Sequence, residues 1–149
     1  MIQLNRTNGA DPDFTALVEL LDADLAVRDG DEHAFYAQFN KISNIQYAVV
    51  AYAQEQPVAC GAFRVLEPGI AEIKRMYTLP EMRGQGIASV ILSALEAWAL
   101  ELSFEKCVLE TGLKQPEAIA LYQKNGYVRI PNYGQYVGVE NSVCFEKQL

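Results

Sequence analysis

The sequence predicts a single α/β domain built on a mixed sheet, and three observations carry that prediction. The hydrophobic pattern switches between a two-residue and a 3.6-residue period, in the order β-α-α-β-β-β-α-β-α-β-β. Turn signals separate the segments, with no internal repeat, low-complexity tract or interdomain linker among them. The length, 149 residues, suits one domain (1–149) with one full core.

Each element has its own warrant. Ile2 to Arg6 reads as a short strand. Asp11-Pro12 opens a helix, with an acidic cap and proline at the first helical position. Phe14, Leu17, Val18, Leu21 and Leu25 then form one apolar stripe. Gly30 ends that helix, and "DEHAFYAQFN" suggests a shorter second one rich in aromatics. "IQYAVVAYA" is a strand, "QEQP" a turn, "VACGAFRVLEP" the return strand of a hairpin and "GIAEIKRMYTL" a third strand. Alternation along the third strand assigns Glu72, Lys74 and Met76 to one face, and Ile73, Arg75 and Tyr77 to the other.

From Gly84 the period lengthens. Ile87, Val90, Ile91, Leu95, Trp98 and Leu102 recur at helical spacing, with Ser89, Ser93 and Glu96 on another side. "KCVLET" is apolar enough for a central strand. "PEAIALYQKNG" is a helix with Pro116 in its first turn and Gly126 just past its end. "YVRI" and "SVCFEKQL" close the chain as strands around the turn-rich "PNYGQYVGVEN".

Composition narrows the function classes. The chain is 50% hydrophobic and 21% charged, as ordinary soluble globular proteins are. No apolar run approaches the ~20 residues of a membrane span, and "MIQLNRTNGADPDF" has neither region of a signal peptide. Cys60, Cys107 and Cys144 are odd in number and set among apolar residues, which favours buried reduced thiols and a cytoplasmic location. The net charge of -7 argues against nonspecific binding to nucleic acid or anionic membranes. Its acidic stretch from Asp11 to Glu32 is either a solvated helix surface or a lure for a cationic substrate. With His33 as the only histidine, no multi-histidine metal site can form and no metal is expected.

The stretch "RMYTLPEMRGQGIASVIL" carries the strongest chemical signal. Arg83-Gly84-Gln85-Gly86 stands between a strand and a helix, although glycine in a helical turn is roughly 1 kcal/mol worse than alanine. A helix start presents unpaired N–H groups and the positive end of the dipole, which suits a phosphate, and Arg83 adds a forked cation. The plainer alternative is a tight turn in which glycine merely permits unusual dihedrals. A P-loop is excluded, because Ile87-Ala88 stands where Lys-Ser/Thr is required. A dinucleotide fold could use Glu110, at the end of the next strand, as its ribose acid. It is rejected because Ser89 replaces the third glycine, "AEIKRMYT" is too polar for a doubly buried parallel strand, and the chain is too short for two nucleotide-binding halves.

Arg83-Gly84-Gln85-Gly86-Ile87-Ala88 resembles the Q/R-x-x-G-x-G/A signature of the GNAT superfamily of N-acetyltransferases, and "EAIALYQKNGY" resembles its A-x-x-L-Y-x-K-x-G-F/Y helix at the expected distance. The likeness covers roughly Val58 to Val128 and looks closest to small bacterial members that carry "EIKRMY", "LETG" and "QPEA". It implies a mostly antiparallel central sheet flanked by helices, and transfer of an acetyl group from acetyl-coenzyme A to an amine. By the same resemblance, backbone N–H groups from Gly84 through Gln85, Gly86, Ile87 and Ala88 to Ser89 hold the pyrophosphate, and Met76, Tyr77 and Thr78 pair with the pantetheine arm. Gln115 stands where the family often has asparagine.

The resemblance assigns Tyr122 as general acid beside the coenzyme sulfur; the plainer alternative is a core aromatic. Glu72 stands at the strand position where several members carry a base, acting directly or through water; the alternative is an ion pair with Lys74 or Arg75. Lys74, Arg75, Tyr133 and Tyr136 are candidate acceptor contacts, and the acceptor is a small-molecule or peptide amine. Lys124 could reach coenzyme phosphate or remain solvated, and the terminal strands offer edges for a homodimer. A coenzyme-binding sensor without turnover stays open as a different class, with a nicotinamide-binding protein a distant third.

Overall fold

In the computed structural model, which describes residues 1–37 and 45–149, Asp11 fixes where the first helix starts. Its Oδ1 accepts from the backbone N–H of Asp13 at 2.8 Å and of Phe14 at 3.3 Å, and Pro12 follows at the first helical position. Helix α1 (Pro12–Asp29) buries Phe14, Leu17, Val18 and Leu21, the predicted stripe. It follows strand β1 (Ile2–Thr7) and leads through a 3₁₀ turn (Gly30–Glu32) to the short α2 (His33–Ala37). Residues 38–40 of the predicted second helix lie outside the described residues.

Three strands follow, β2 (Tyr47–Ala53), β3 (Gln56–Glu67) and β4 (Ile70–Thr78), and then α3 (Ile87–Glu101), β5 (Lys106–Gly112), α4 (Pro116–Lys124), β6 (Val128–Ile130) and β7 (Ser142–Gln148). They form one α/β domain, with the strands in a single sheet of order β1-β2-β3-β4-β5-β7-β6. Every neighbouring pair is antiparallel except β4 with β5, so the sheet is mixed and mostly antiparallel, as expected. β5 is central, as its apolar sequence requires. β7 has neighbours on both sides, so of the two terminal strands only β1 offers an edge to a second copy.

The sheet has a core on each face. Under α1, Phe14, Leu17 and Val18 pack with Ala48, Val50, Cys60 and Ala62. On the other face, Ile91, Leu92 and Leu95 of α3 and Tyr122 of α4 pack with Val49, Ala51, Ala59 and Phe63. The α3 stripe runs through Ile87, Ile91, Leu92, Leu95 and Ala99. Val90 and Leu102, which the spacing assigns to that stripe, are exposed instead, because the helix rotates Leu92 and Ala99 onto the sheet. Gly61 makes the close approach possible. A Cβ there would lie 2.4 Å from Met76 Sδ, 2.8 Å from Ile91 and 2.9 Å from Leu95.

One expectation fails in β4. Cys60 pairs with Tyr77 and Ala62 with Lys74, so Gly61 alone faces Arg75 and Met76. This is a β-bulge, and Arg75 takes the left-handed conformation at φ 59°. The extra residue breaks the alternation after Lys74. Met76 joins the core under α3, and Tyr77 packs against the core under α1, the reverse of the predicted faces. The three cysteines are free and buried. Among the described residues no helix is long and apolar enough to cross a membrane.

Candidate active site

The bulge opens the site. β4 and β5 are paired only at Ile70 with Lys106, Ala71 with Cys107 and Glu72 with Val108. Beyond Glu72 the two strands part, leaving the β5-facing edge of β4 without a strand partner. A cleft of about 490 Å³ fills the gap, between Met76, Tyr77 and Thr78 on one side and Glu110 and Thr111 on the other. Its ends are closed by the turn before α3, the face of α4 that carries Tyr122, and α1 from Leu21 to Arg28.

At one end the glycines have a double role. Gly84 at φ 78° and Gly86 at φ 81° are both left-handed, so the plainer conformational reading holds. Yet a Cβ at either would meet nothing within 4 Å, so their surface is also open to a ligand. Gly86 caps α3 without a side-chain hydrogen bond. The first N–H groups of the helix are therefore left for an anion. Arg83 Nε donates to the Thr78 carbonyl at 2.9 Å, and its guanidinium lies 5.5 Å from the Tyr77 ring centroid. Ser89 Oγ accepts from Asn125 Nδ2 at 3.1 Å, which ties the first turn of α3 to the end of α4. Gly84, Gly86, Ile87, Ala88, Ser89, Gln115 and Lys124 line the cleft; Gln85 does not.

At the other end stands an acid that the sequence reading considered only as a ribose ligand. Burial pushes the Glu110 carboxyl up to about 7, while its hydrogen bond from Ser142 and the charge of Lys74 pull the other way. Ser142 Oγ donates to Glu110 Oε2 at 2.7 Å and lies 3.1 Å from the Tyr36 hydroxyl. Across the cleft, Tyr122 is 6% exposed and packs against Tyr127 and Phe145. Burial, and next the charge of Glu110, push its phenol well above the usual tyrosine range. Its hydroxyl has no hydrogen bond among the described residues, so the core packing leaves the phenol oxygen unspent while the ring lines the cleft.

Glu72, the base expected from the sequence, is otherwise engaged. It is 1% exposed, accepts from Arg64 Nε at 2.6 Å through Oε1 and from the Tyr133 hydroxyl at 2.5 Å through Oε2. The ion-pair alternative is thus the observed one, with Arg64 as the chief partner rather than Lys74 or Arg75. Tyr133 gives its hydroxyl to Glu72 and is not part of the cleft wall. Arg75 lines the cleft but turns its guanidinium to Asp22 on α1. Tyr136 lines the cleft and is buried, its ring edge-on to Tyr133 at 5.9 Å. Lys74 also lines the cleft, with its ammonium pulled below the usual lysine range by burial. No group of three His, Cys, Asp or Glu side chains suited to a metal ion occurs among the described residues.

The sequence reading missed Glu110 as a cleft carboxyl, Ser142 as its hydrogen-bond partner, and α1 residues Leu21, Asp24, Leu25 and Arg28 as cleft wall. A signal for Glu110 existed: it is the one acid in the otherwise apolar run of a central strand. Nothing in the sequence brings Ser142 or α1 to it.

Comparison with known proteins places the chain. An N-acyltransferase candidate from Klebsiella pneumoniae, described as acting on acyl-CoA, has a crystal structure with a TM-score of 0.84 at 32% identity, covering 100% of this chain and 98% of that one. The PaiA N-acetyltransferase of Thermoplasma acidophilum, solved with coenzyme A, shares the fold at a TM-score of 0.75 and 16% identity, covering 100% and 99% of the two chains. The IAA acetyltransferase of Azospirillum brasilense is 35% identical over 102 residues, 68% of this chain and 67% of its own. The profile described as "Acetyltransferase (GNAT) family" matches residues 14–127, and with the parted strands and the glycine turn in place, the chain belongs to the GNAT family of acetyltransferases.

Proposed function

We propose that the protein transfers the acetyl group of acetyl-coenzyme A to an amine, with Glu110 as the base and Tyr122 as the hydrogen-bond donor to the leaving sulfur. The observation that carries this reading is the placement of Glu110 and Tyr122 on opposite walls of one cleft, near enough for the charge of Glu110 to act on the phenol. In this reading the glycine turn and the first N–H groups of α3, through Ser89, hold the pyrophosphate, with Arg83 beside it. The unpaired edge of β4 at Met76, Tyr77 and Thr78 takes the pantetheine arm, and Gln115 borders it. The Thermoplasma protein of the same fold was solved with coenzyme A, which supports a coenzyme as the ligand of this cleft.

An amine reaches the site as an ammonium and must lose a proton before it can attack. Glu110, ionised about half the time near neutral pH, is matched to that step. The nitrogen–carbon bond then forms as the carbon–sulfur bond breaks, and the departing thiolate accepts a hydrogen bond from the Tyr122 hydroxyl. A phenol held above its usual range is a weaker acid than a thiol, so full transfer from Tyr122 to sulfur is uphill. Tyr122 therefore stabilises the thiolate by donation, and the second proton on nitrogen supplies the thiol. Glu110 returns its proton to solvent. Alignment of the two reactants in the cleft supplies much of the acceleration. Glu72 has a supporting part here: it fastens β4 to Arg64 and to the loop of Tyr133.

Free-thiol release from acetyl-coenzyme A over a panel of amines, amino acids and peptides tests this reading. Amine-dependent release that collapses in Glu110→Gln supports it. Coenzyme binding with no release against any amine would point instead to a sensor that binds without turnover.

A further inference from the structure

Lys74 is a largely buried cation whose ion pair with Glu72 is long and shared. Its side chain is 10% exposed, and its nearest acidic oxygen, Glu72 Oε1, lies 3.8 Å away, outside hydrogen-bond reach. That oxygen already accepts from Arg64 Nε at 2.6 Å. The neighbouring cations of the acceptor side are engaged: Arg75 with Asp22, and Arg28 with Asp24 and Glu117. An ammonium carries three donors, and no hydrogen bond from this one is made among the described residues, so its donors are left to the cleft. The wall that holds Lys74 is the wall of the cleft, and it faces the acceptor end beside Glu110.

We propose that Lys74 is the carboxylate-binding residue of an acceptor subsite, and that the acceptor is a free α-amino acid. This rests on the acetyl-transfer reading for its chemistry. An α-amino acid carries one positive and one negative group a few ångströms apart, and Glu110 and Lys74 offer a carboxyl and an ammonium to match them. The ammonium goes to Glu110, where it is deprotonated, and the carboxylate goes to Lys74. The side chain then lies toward Leu21 and Leu25 of α1, the apolar wall at that end. Lys74 and Glu110 each influence the other's ionisation, which supports their facing one space. A polyamine or a carboxamide leaves the Lys74 ammonium unmatched, and a polyamine sets a second cation against it.

The test is calorimetry on the full chain saturated with coenzyme A, titrated with the twenty free L-amino acids and their carboxamides, using wild type, Lys74→Gln and Lys74→Arg. At least one amino acid should bind roughly 10–100-fold more tightly than its carboxamide, as hydrogen bonds to a buried charge imply. That preference should collapse in Lys74→Gln and return in part in Lys74→Arg. The proposal is overturned if no amino acid outbinds its carboxamide, or if folded Lys74→Gln keeps the preference. Should Lys74→Gln fail to fold, the wild-type comparison decides alone. Selective binding without thiol release would uphold the subsite and sink the acetyl-transfer reading, so the two failures are distinct.

Discussion

Ser142, the first residue of β7, donates its hydroxyl to the Glu110 carboxylate of β5 at 2.7 Å, on the strand pair whose register sets Gly112 against Ser142. That bond favours the ionised carboxylate in a setting where burial opposes it. Glu110→Gln should therefore lower kcat on the order of 10²–10³-fold, the range for one acid–base group. Acetyl-coenzyme A affinity by calorimetry should barely change. In wild type, kcat/KM should rise with pH through about 7, and Ser142→Ala should move the inflection upward. A profile flat from pH 5 to 9 would remove Glu110 from its role.

The same group has a stability signature of opposite sense. Glu110 ionises near 7 in the folded chain against 4.5 for an ordinary glutamate, so the fold favours its protonated form. Its contribution is full below the unfolded value and is lost as the pH rises past about 7. Glu110→Gln should raise the melting temperature at pH 8 and change it little at pH 4. The ceiling is about 3 kcal/mol at 1.36 kcal/mol per pKa unit. Thermal melts at the two pH values check this.

Tyr122→Phe should cut turnover by on the order of 10²-fold while leaving coenzyme affinity nearly intact. The ring keeps its contacts with Tyr127 and Phe145, so stability should hold. Pre-steady-state thiol release isolates the chemical step, and an unaltered rate there would leave Tyr122 a core aromatic only.

Two glycines should fail for different reasons. Gly61→Ala forces a methyl against Met76, Ile91 and Leu95, and should destabilise by about 1–3 kcal/mol through overpacking. Gly86→Ala meets open space, but at φ 81° it should cost about 1–2 kcal/mol from backbone strain. Only Gly86→Ala should also weaken acetyl-coenzyme A. Urea unfolding and calorimetry on both variants separate the two.

Asp22→Ala should destabilise by about 1–3 kcal/mol, because it strands the guanidinium of Arg75, 2% exposed, whose Nε already lacks a partner. Arg75 is the left-handed residue of the bulge, so the change should also loosen the cleft. Raised amide exchange from Lys74 to Thr78 would report it, and unchanged exchange would show that the bulge holds without the pair.

Local signals carried most of the fold. Asp11-Pro12, the stripe from Phe14 to Leu21, and the apolar run of β5 each act within a few residues, and each element formed where those signals stand. The glycine turn and "EAIALYQKNGY" likewise made one end of the cleft legible, since the turn's backbone geometry follows its glycines. Period counting failed at Arg75 because a bulge inserts a residue into the alternation. It is set by how β3 meets β4 around Gly61, a relation between strands. The same holds for Val90 and Leu102, whose exposure depends on how α3 rolls onto the sheet.

By itself, then, the sequence determined the order of elements, the family signature and the open glycine turn before α3, because short-range sterics and periodicity write these into consecutive residues. Tertiary structure alone decided how the two strand acids are engaged. Glu72 and Glu110 are both single acids in strands; what separates them is that Arg64 and Tyr133 reach the first, while Ser142 reaches the second. Those partners come from residues far away in the chain, and the ionisation of a carboxylate follows its neighbours in space.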